Sequence, residues 1–548
     1  VATAEDLELT ADSRAATVRS AAVMSVGTLL SRATGVVRVS VTLAALGVTS
    51  LSSTYLTANT TPNIVYELVL GGILTSVFVP VLVEWGKQHG QDAQFEAGSR
   101  FLTLTLVVLG VLSAGAAVAA PWIMRLYTLG EQDPMLRARE IELGAFFLRW
   151  FMPQIVFYGL GAVASGLLTA NRRFAAPMYA PVLNNLAVIV TMFAFIAISH
   201  GTAPSIAGLS DAERLLLGAG TTLGVVAMTV ALWPALRSIG FRWHLRLDWR
   251  HPTVRRLVNL ARWVVLYVVA NQVAYVVIIV MNGRIDGRAY TVYSQAFIFF
   301  SLPHAIVAVS IFTALLPGMA ERWTVGRQAD VRELFSRGVR DTELVMLPAA
   351  AGMIALAGPL VALLASYGAV RGADVDALAR TLAAFAVGLP FFSAFQLLLR
   401  TFYAIHDSRT PALTNIGVNA VNLGVNLLLA FWFGWGVPGL ALGYASSYAF
   451  GSCVLVLLLR PRLGGLDQAR IASMLGRTAV AAILTGLAAF GVAEGLAAAF
   501  DVARPALRLL QVVAAVAAGV VAFLAGALML RINEVDEVKS ALIGRFRR

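Results

Sequence analysis

Residues 506–530 read ALRLLQVVAAVAAGVVAFLAGALML, and Arg508 is their one charged side chain. Coiled as a helix at ~1.5 Å per residue, such a run covers the ~30 Å hydrocarbon core of a bilayer. Comparable runs recur along the 548-residue chain. Hydrophobic residues make up 58% of it and charged residues 13%, where a soluble protein carries about 25% charged residues. Mean hydropathy is +0.77. These values exclude a soluble enzyme, a disordered chain, a disulfide scaffold and a DNA-binding domain. The apolar runs are ~20 residues long rather than ten-residue alternating segments, which excludes an outer-membrane barrel. The expected fold is an all-α integral membrane protein.

About fourteen spans are expected, near 18–47, 53–84, 99–124, 141–170, 177–199, 213–236, 257–281, 290–319, 342–366, 378–404, 411–432, 437–459, 474–498 and 506–530. Arg14 and Arg19 precede the first, but no clear small-residue cleavage site follows, so it reads as a span rather than a signal peptide. The loops alternate in charge. One set carries Arg172 and Arg173, Arg237 to Arg256, Arg322 to Arg340, and Arg460 to Arg477, together with both termini. The positive-inside rule puts that set, and both termini, in the cytoplasm. The net charge of +12 then faces anionic lipid rather than nucleic acid. The single cysteine, Cys453, lies in an apolar run and forms no internal disulfide.

Two pairs of segments match at an offset near 235 residues. Phe78-Val79-Pro80 with Glu84-Trp85 matches Leu315-Leu316-Pro317 with Glu321 and Trp323. Ala170, Pro177 and Asn185 match Ala404, Pro411 and Asn419 at identical spacing. The shift corresponds to six spans, an even number, so the halves share one orientation. The expected architecture is two six-helix, pseudo-symmetric halves in a parallel repeat, plus two extra C-terminal helices. The organisation reads as a tail (1–17), a first lobe (18–236), a basic linker (237–256), and a second lobe (257–459). The last two spans with their basic loop (460–530) and a basic tail (531–548) complete it.

Polar groups inside apolar spans mark candidate sites, because a charge at the bilayer centre costs at least ~2.5–3.5 kcal/mol. Arg32 and Arg38 lie in the first span, in Ser31-Arg32-Ala33-Thr34-Gly35-Val36-Val37-Arg38. Ser31, Gly35 and Arg38 share one helical stripe and Arg32 sits about 100° away. Two arginines without a neighbouring acid suit an anionic ligand, since guanidinium forks match phosphate oxygens. The alternative is a pair of arginines snorkelling at an interface. Glu67 follows Pro62-Asn63 and precedes Gly71-Gly72, on a span loosened enough to hinge. It either neutralises an arginine of the first span or carries a proton. Asn415, Asn419, Asn422 and Asn426 draw one stripe down the eleventh span, and Asn271 lies in the seventh. Such amides either join helices or line an ion path. Arg262 lies near a span end, where snorkelling is the default reading, and Arg284, Asp286 and Arg288 sit in an outer loop that is either a solvated turn or a place to receive an anionic headgroup.

No metal-ligand spacing, paired-cysteine set or phosphate-binding loop occurs. Gly218 to Gly224 is glycine-rich but lies within an apolar span, where close helix packing accounts for it. An enzyme is therefore not expected. Transport on this chain would draw on the membrane potential or an ion gradient, each charge yielding ~2.3 kcal/mol per 100 mV.

These residues carry a resemblance. Ser31-Arg32-x-x-Gly35-x-x-Arg38 resembles the first-span signature of the MurJ (MviN) lipid II flippase family. Pro62-Asn63 with Phe78-Val79-Pro80-Val81 resembles its second span. Pro153 to Tyr158, running through Asn171-Arg172-Arg173-Phe174-Ala175-Ala176-Pro177 to Asn184-Asn185, is similar to the family pattern over more than thirty residues. The family belongs to the multidrug/oligosaccharidyl-lipid/polysaccharide exporter superfamily. The resemblance implies alternating access that moves undecaprenyl-pyrophosphate-linked peptidoglycan precursor, lipid II, to the outer leaflet of the bacterial cytoplasmic membrane. It implies that Ser31, Arg32 and Arg38 hold the pyrophosphate in a cationic cavity; Asn63, Glu67, Arg262, Arg284 and Arg288 are further candidates for cavity or gating roles on the reading of the residues alone. Val39, Tyr66 and Leu70-Gly71-Gly72 depart from the pattern, as does the eighth span's Ala296 to Phe300, where an arginine is usual. Some relatives bind sodium through acids where this chain offers Asn271, Asn415 and Asn419. No cofactor or structural metal is implied, and the coupling ion, sodium or proton, stays open. Membrane lipids and cell-wall synthesis proteins are the implied partners. The alternatives are a flippase for another lipid-linked oligosaccharide and a non-transporting scaffold of a cell-wall complex.

Overall fold

The computed structural model describes residues 26–68, 79–199, 205–245, 252–532 and 534–535; the side chains of 79–81 and 252–265 fall outside that description. Among the described residues there is no strand. The contacts divide the chain into two compact units, Val1–Gln272 and Val273–Arg548.

The first unit holds α1 (Val26–Leu46), α2 (Ser50–Tyr66), α3 (Val79–His89), α4 (Gln91–Val118), α5 (Ala120–Tyr127) and α6 (Pro134–Phe151). It continues with α7 (Gln154–Ala170), α8 (Ala175–Ile198), α9 (Asp211–Val230), α10 (Trp233–Ser238) and the first part of α11 (Pro252–Ile285). The second holds α12 (Ala289–Pro303), a π-helical turn (His304–Ala308), α13 (Val309–Thr324), α14 (Gln328–Ala355), α15 (Ala357–Ala365), α16 (Gly372–Val387) and α17 (Leu389–Ala404). After these come α18 (Arg409–Asn426), α19 (Gly436–Leu459), α20 (Gln468–Ala499) and α21 (Pro505–Met529).

Among the described residues 11 helices are long and apolar enough to cross a membrane, or 13 if each of two bent pairs counts as one span. Those pairs are α14 with α15, bent by 74°, and α16 with α17, bent by 47°. The second expected span, 53–84, begins as α2 and ends as α3, and residues 69–78 between them lie outside the described residues.

Local chemistry sets the helix ends. Ser210 caps α9 in a capping box, its hydroxyl taking the Glu213 N–H while the Glu213 carboxylate takes the Ser210 N–H at 2.8 Å. Asp133 accepts from the Met135 N–H at 2.9 Å, with Pro134 filling the position that needs no donor.

The repeat is visible in its turns. After α7, Arg172 takes φ 57°, and the N–H groups of Arg172 and Arg173 donate to Thr169 O and Leu168 O. After α17, His406 takes φ 61°, and the N–H groups of His406 and Asp407 donate to Tyr403 O and Phe402 O. Each is a left-handed helix stop with identical hydrogen-bond offsets. The Ala170 and Ala404 of the sequence match stand two residues before each left-handed residue.

Small residues let helices close up. A Cβ on Gly220 would stand 2.4 Å from Thr191 Oγ1, and one on Gly224 2.6 Å from Asn184 Oδ1. The glycine-rich stretch of α9 is thus the seam against α8. In the second unit a Cβ on Gly443 of α19 would stand 1.9 Å from Asn426 Oδ1 of α18. That unit also holds an aromatic core. Phe300 stacks on Phe385 at 5.4 Å, Phe297 meets Tyr444 at 5.5 Å, and Phe392 meets Tyr448 at 5.1 Å. The eighth expected span therefore spends Phe297 and Phe300 on packing.

Candidate functional site

In the first unit α1 packs on α8 through the face carrying Ser31 and Gly35. The Asn185 amide of α8 donates to Ser31 O at 3.1 Å and to Thr34 Oγ1 at 3.0 Å. Gly35 opens the space: a Cβ there would stand 3.7 Å from Asn185 Nδ2. Ser31 thus sits at a helix–helix seam. Arg32 is exposed, and Arg38 is half-buried.

Arg38 has specific company. Its charge acts on the Tyr55 and Tyr158 hydroxyls. The Tyr158 hydroxyl of α7 lies beside the Asn63 side chain of α2, and the Tyr158 ring lies 6.0 Å from that of Tyr66. Tyr55 is buried, edge-on to Phe147 and Phe151, and its hydroxyl meets Thr221 Oγ1 at 2.7 Å. Three helices therefore deliver a guanidinium, phenol hydroxyls and an amide to one locality. Tyr66 and Tyr158 also line a mainly apolar cleft of about 210 Å³ with Pro177, Pro181, Met228 and Leu232. Glu67 is exposed at the end of α2. Among the described residues neither Arg32 nor Arg38 is ion-paired to it or to any other carboxylate. A guanidinium with neutral hydrogen-bonding neighbours is the donor set that anions take in proteins.

The remaining candidates are dispersed. Arg262 falls in α11, where its side chain lies outside the described residues. Asn271, also in the first unit, stands beside Tyr267, one turn earlier on α11. In the second unit Arg284 is exposed. Arg288 is held by Asp286 at 3.1 Å and Asp374 at 3.6 Å, and the Asp286 hydrogen bond keeps its guanidinium pKa above the usual arginine range. This loop ties the start of α12 to the start of α16. Asn415 is fully buried, and neither its Oδ1 nor its Nδ2 has a partner among the described residues; Asn419 is half-buried with Nδ2 unpartnered. Asn426 donates to Asn422 Oδ1 at 2.9 Å, so the lower stripe joins itself and packs at Gly443. Among the described residues no group of three or more His, Cys, Asp or Glu could hold a metal.

Tyr55 and Tyr158 were not legible as site residues, because a tyrosine in an apolar span ordinarily reads as packing.

The family model described as lipid II flippase MurJ matches residues 43–511. The chain belongs to the lipid II flippase MurJ family. This is a family of transporters, not enzymes. The matched range begins after Ser31, Arg32 and Arg38. Among similar proteins, a lipid II flippase of Burkholderia cenocepacia is 29% identical over 439 residues, 79% of this chain and 82% of the relative. A probable lipid II flippase of Rhizobium meliloti is 26% identical, over 81% and 79%. Among solved structures, a lipid II flippase in an inward closed conformation has a TM-score of 0.72 at 17% identity, covering 93% of this chain and 98% of that one. An inward-facing multidrug resistance transporter of the MATE family and MOP superfamily has a TM-score of 0.65 at 13% identity, over 80% and 96%. These structural likenesses speak to the fold. The helices and the family together make this a multi-pass protein of the bacterial inner membrane.

Proposed function

We propose that this chain moves lipid II, the undecaprenyl-pyrophosphate-linked peptidoglycan precursor, from the inner to the outer leaflet by alternating access. Arg38 and Arg32 grip the diphosphate, and Tyr158 and Asn63 orient it through neutral hydrogen bonds. The membrane potential or an ion gradient drives the cycle, and no cofactor is called for. Both termini lie in the cytoplasm, and cell-wall synthesis proteins are the natural neighbours.

The carrying observation is that Arg38 sits inside an apolar helix without a carboxylate partner among the described residues. A structural arginine at that depth ordinarily has one. The test is a leaflet-exposure assay for labelled lipid II in cells depending on this chain. Arg38→Ala and Arg32→Ala abolish exposure and growth while the protein still reaches the membrane. Arg38→Lys keeps the charge but loses the planar fork, and retains part of the activity. Full activity after removal of both arginines would refute the cationic site. A scaffold would tolerate all of these changes.

A further inference from the structure

Glu343 lies midway along α14, in the second unit, and is 4% exposed. Neither of its carboxyl oxygens has a hydrogen-bond partner among the described residues. Thr342 Oγ1 and Ser336 Oγ, on the same helix, are likewise buried and unpartnered. An ionised carboxylate cannot be kept in such surroundings when it can bind a proton instead.

The helices packed against α14 offer Glu343 no counter-charge. His304 is engaged through Nδ1 with Ser393 Oγ at 2.9 Å. Arg400 of α17 lies over the Phe312 ring at 5.4 Å. Arg477 of α20 donates to Leu530 O and Arg531 O. Arg340, one turn earlier on α14, is paired with Glu534. The remaining charged residues of those helices are exposed, ion-paired or bound to carbonyl oxygens.

The helix is also weakened close by. Pro348 removes the N–H that would have bonded Leu344 O, and at Leu356, thirteen residues beyond Glu343, α14 ends and the chain bends by 74° into α15. A buried, unpartnered acid thus stands five residues from a missing backbone hydrogen bond and thirteen from the bend.

We propose that Glu343 is a proton-binding site of the transport cycle. In the described arrangement the carboxyl is neutral. When α14 flexes at Pro348 and water reaches the side chain, the O–H bond breaks, the proton passes to water and the carboxylate remains. Reburial requires a proton back from water. The two events, on opposite sides of the membrane, couple the cycle to a proton gradient. The coupling rests on the flippase reading; the protonation does not.

The full chain in lipid is followed by infrared difference spectroscopy across a pH step, which needs no lipid II. The wild type shows a protonated-carboxyl C=O band that Glu343→Gln lacks and Glu343→Asp retains at a shifted position. In proteoliposomes, a one-unit pH gradient biases the leaflet ratio of labelled lipid II by about tenfold for one proton per cycle. Glu343→Gln loses that bias, and Glu343→Asp regains it. An unchanged band in Glu343→Gln overturns the site. An unchanged pH-gradient response in Glu343→Gln overturns the coupling. Wild-type vesicles that move no lipid II count against the proposed function, and the infrared result still decides the protonation.

Discussion

Arg340 and Glu534 are separated by 194 residues in sequence, and their side chains are 5% and 8% exposed. Their ion pair fastens α14 to the helical turn that follows α21. Glu534→Ala leaves a buried guanidinium with nothing to offset its desolvation. Its Nε already lacks a partner among the described residues, so little is available to take up the lost contact. Breaking a buried pair on one side costs about 3–5 kcal/mol. Replacing both members by Met removes the two desolvation costs together and is neutral or stabilising. The assay is unfolding of the full chain in detergent, with Glu534→Ala, Arg340→Met, and Arg340→Met with Glu534→Met arranged as a double-mutant cycle. The singles fall by several kcal/mol and the double recovers most of the loss. Singles within about 0.5 kcal/mol of the wild type, or a double as unstable as the sum of both, would refute the argument.

Asp407, in the turn before α18, accepts from the Arg409 and Thr410 N–H groups at 3.0 Å, from Thr410 Oγ1 at 2.7 Å and from Arg462. Burial pushes its pKa up, but the Thr410 and Arg462 hydrogen bonds outweigh this and hold it below the usual aspartate range. A lowered folded-state pKa contributes stability above the unfolded value of about 4. That contribution is lost as pH falls through the folded-state pKa. Asp407→Asn loses the charge that Arg462 pairs with and is therefore less stable than the wild type at neutral pH, and its denaturant midpoint changes less on acidification than the wild type's. Gly443→Ala drives a methyl into Asn426 Oδ1 and costs about 1–3 kcal/mol, with Asn426→Ala in the same chain restoring part of it in a melting assay. Asn185→Ala removes two bonds to α1, worth about 0.6 kcal/mol each in a membrane helix pair; its unfolding midpoint drops modestly while the protein still reaches the membrane.

Much of the fold was open to reading because bilayer solvation is a one-dimensional constraint. A helix must bury its own backbone polar groups, so span length and apolarity can be counted along the chain. The repeat was readable from Ala170 and Ala404 because a helix stop is local, written in the few residues that surround a left-handed position. The candidate site was partly legible for the same reason: an arginine inside an apolar run announces itself.

The partners of those groups were not legible. Ser31 shares a stripe with Arg38 on an ideal helix, yet its carbonyl is taken by Asn185 of α8. Arg288 in an outer loop is held by Asp374, far along the chain. Glu343 reads as an ordinary polar residue of a long helix until packing removes its water. The sequence alone determined that the chain is built of long apolar helices, the two-fold repetition of the chain and the presence of charge in its first span. Only the tertiary structure decided which polar groups meet one another and which are left alone, because pairing and desolvation depend on faces contributed by helices distant in sequence.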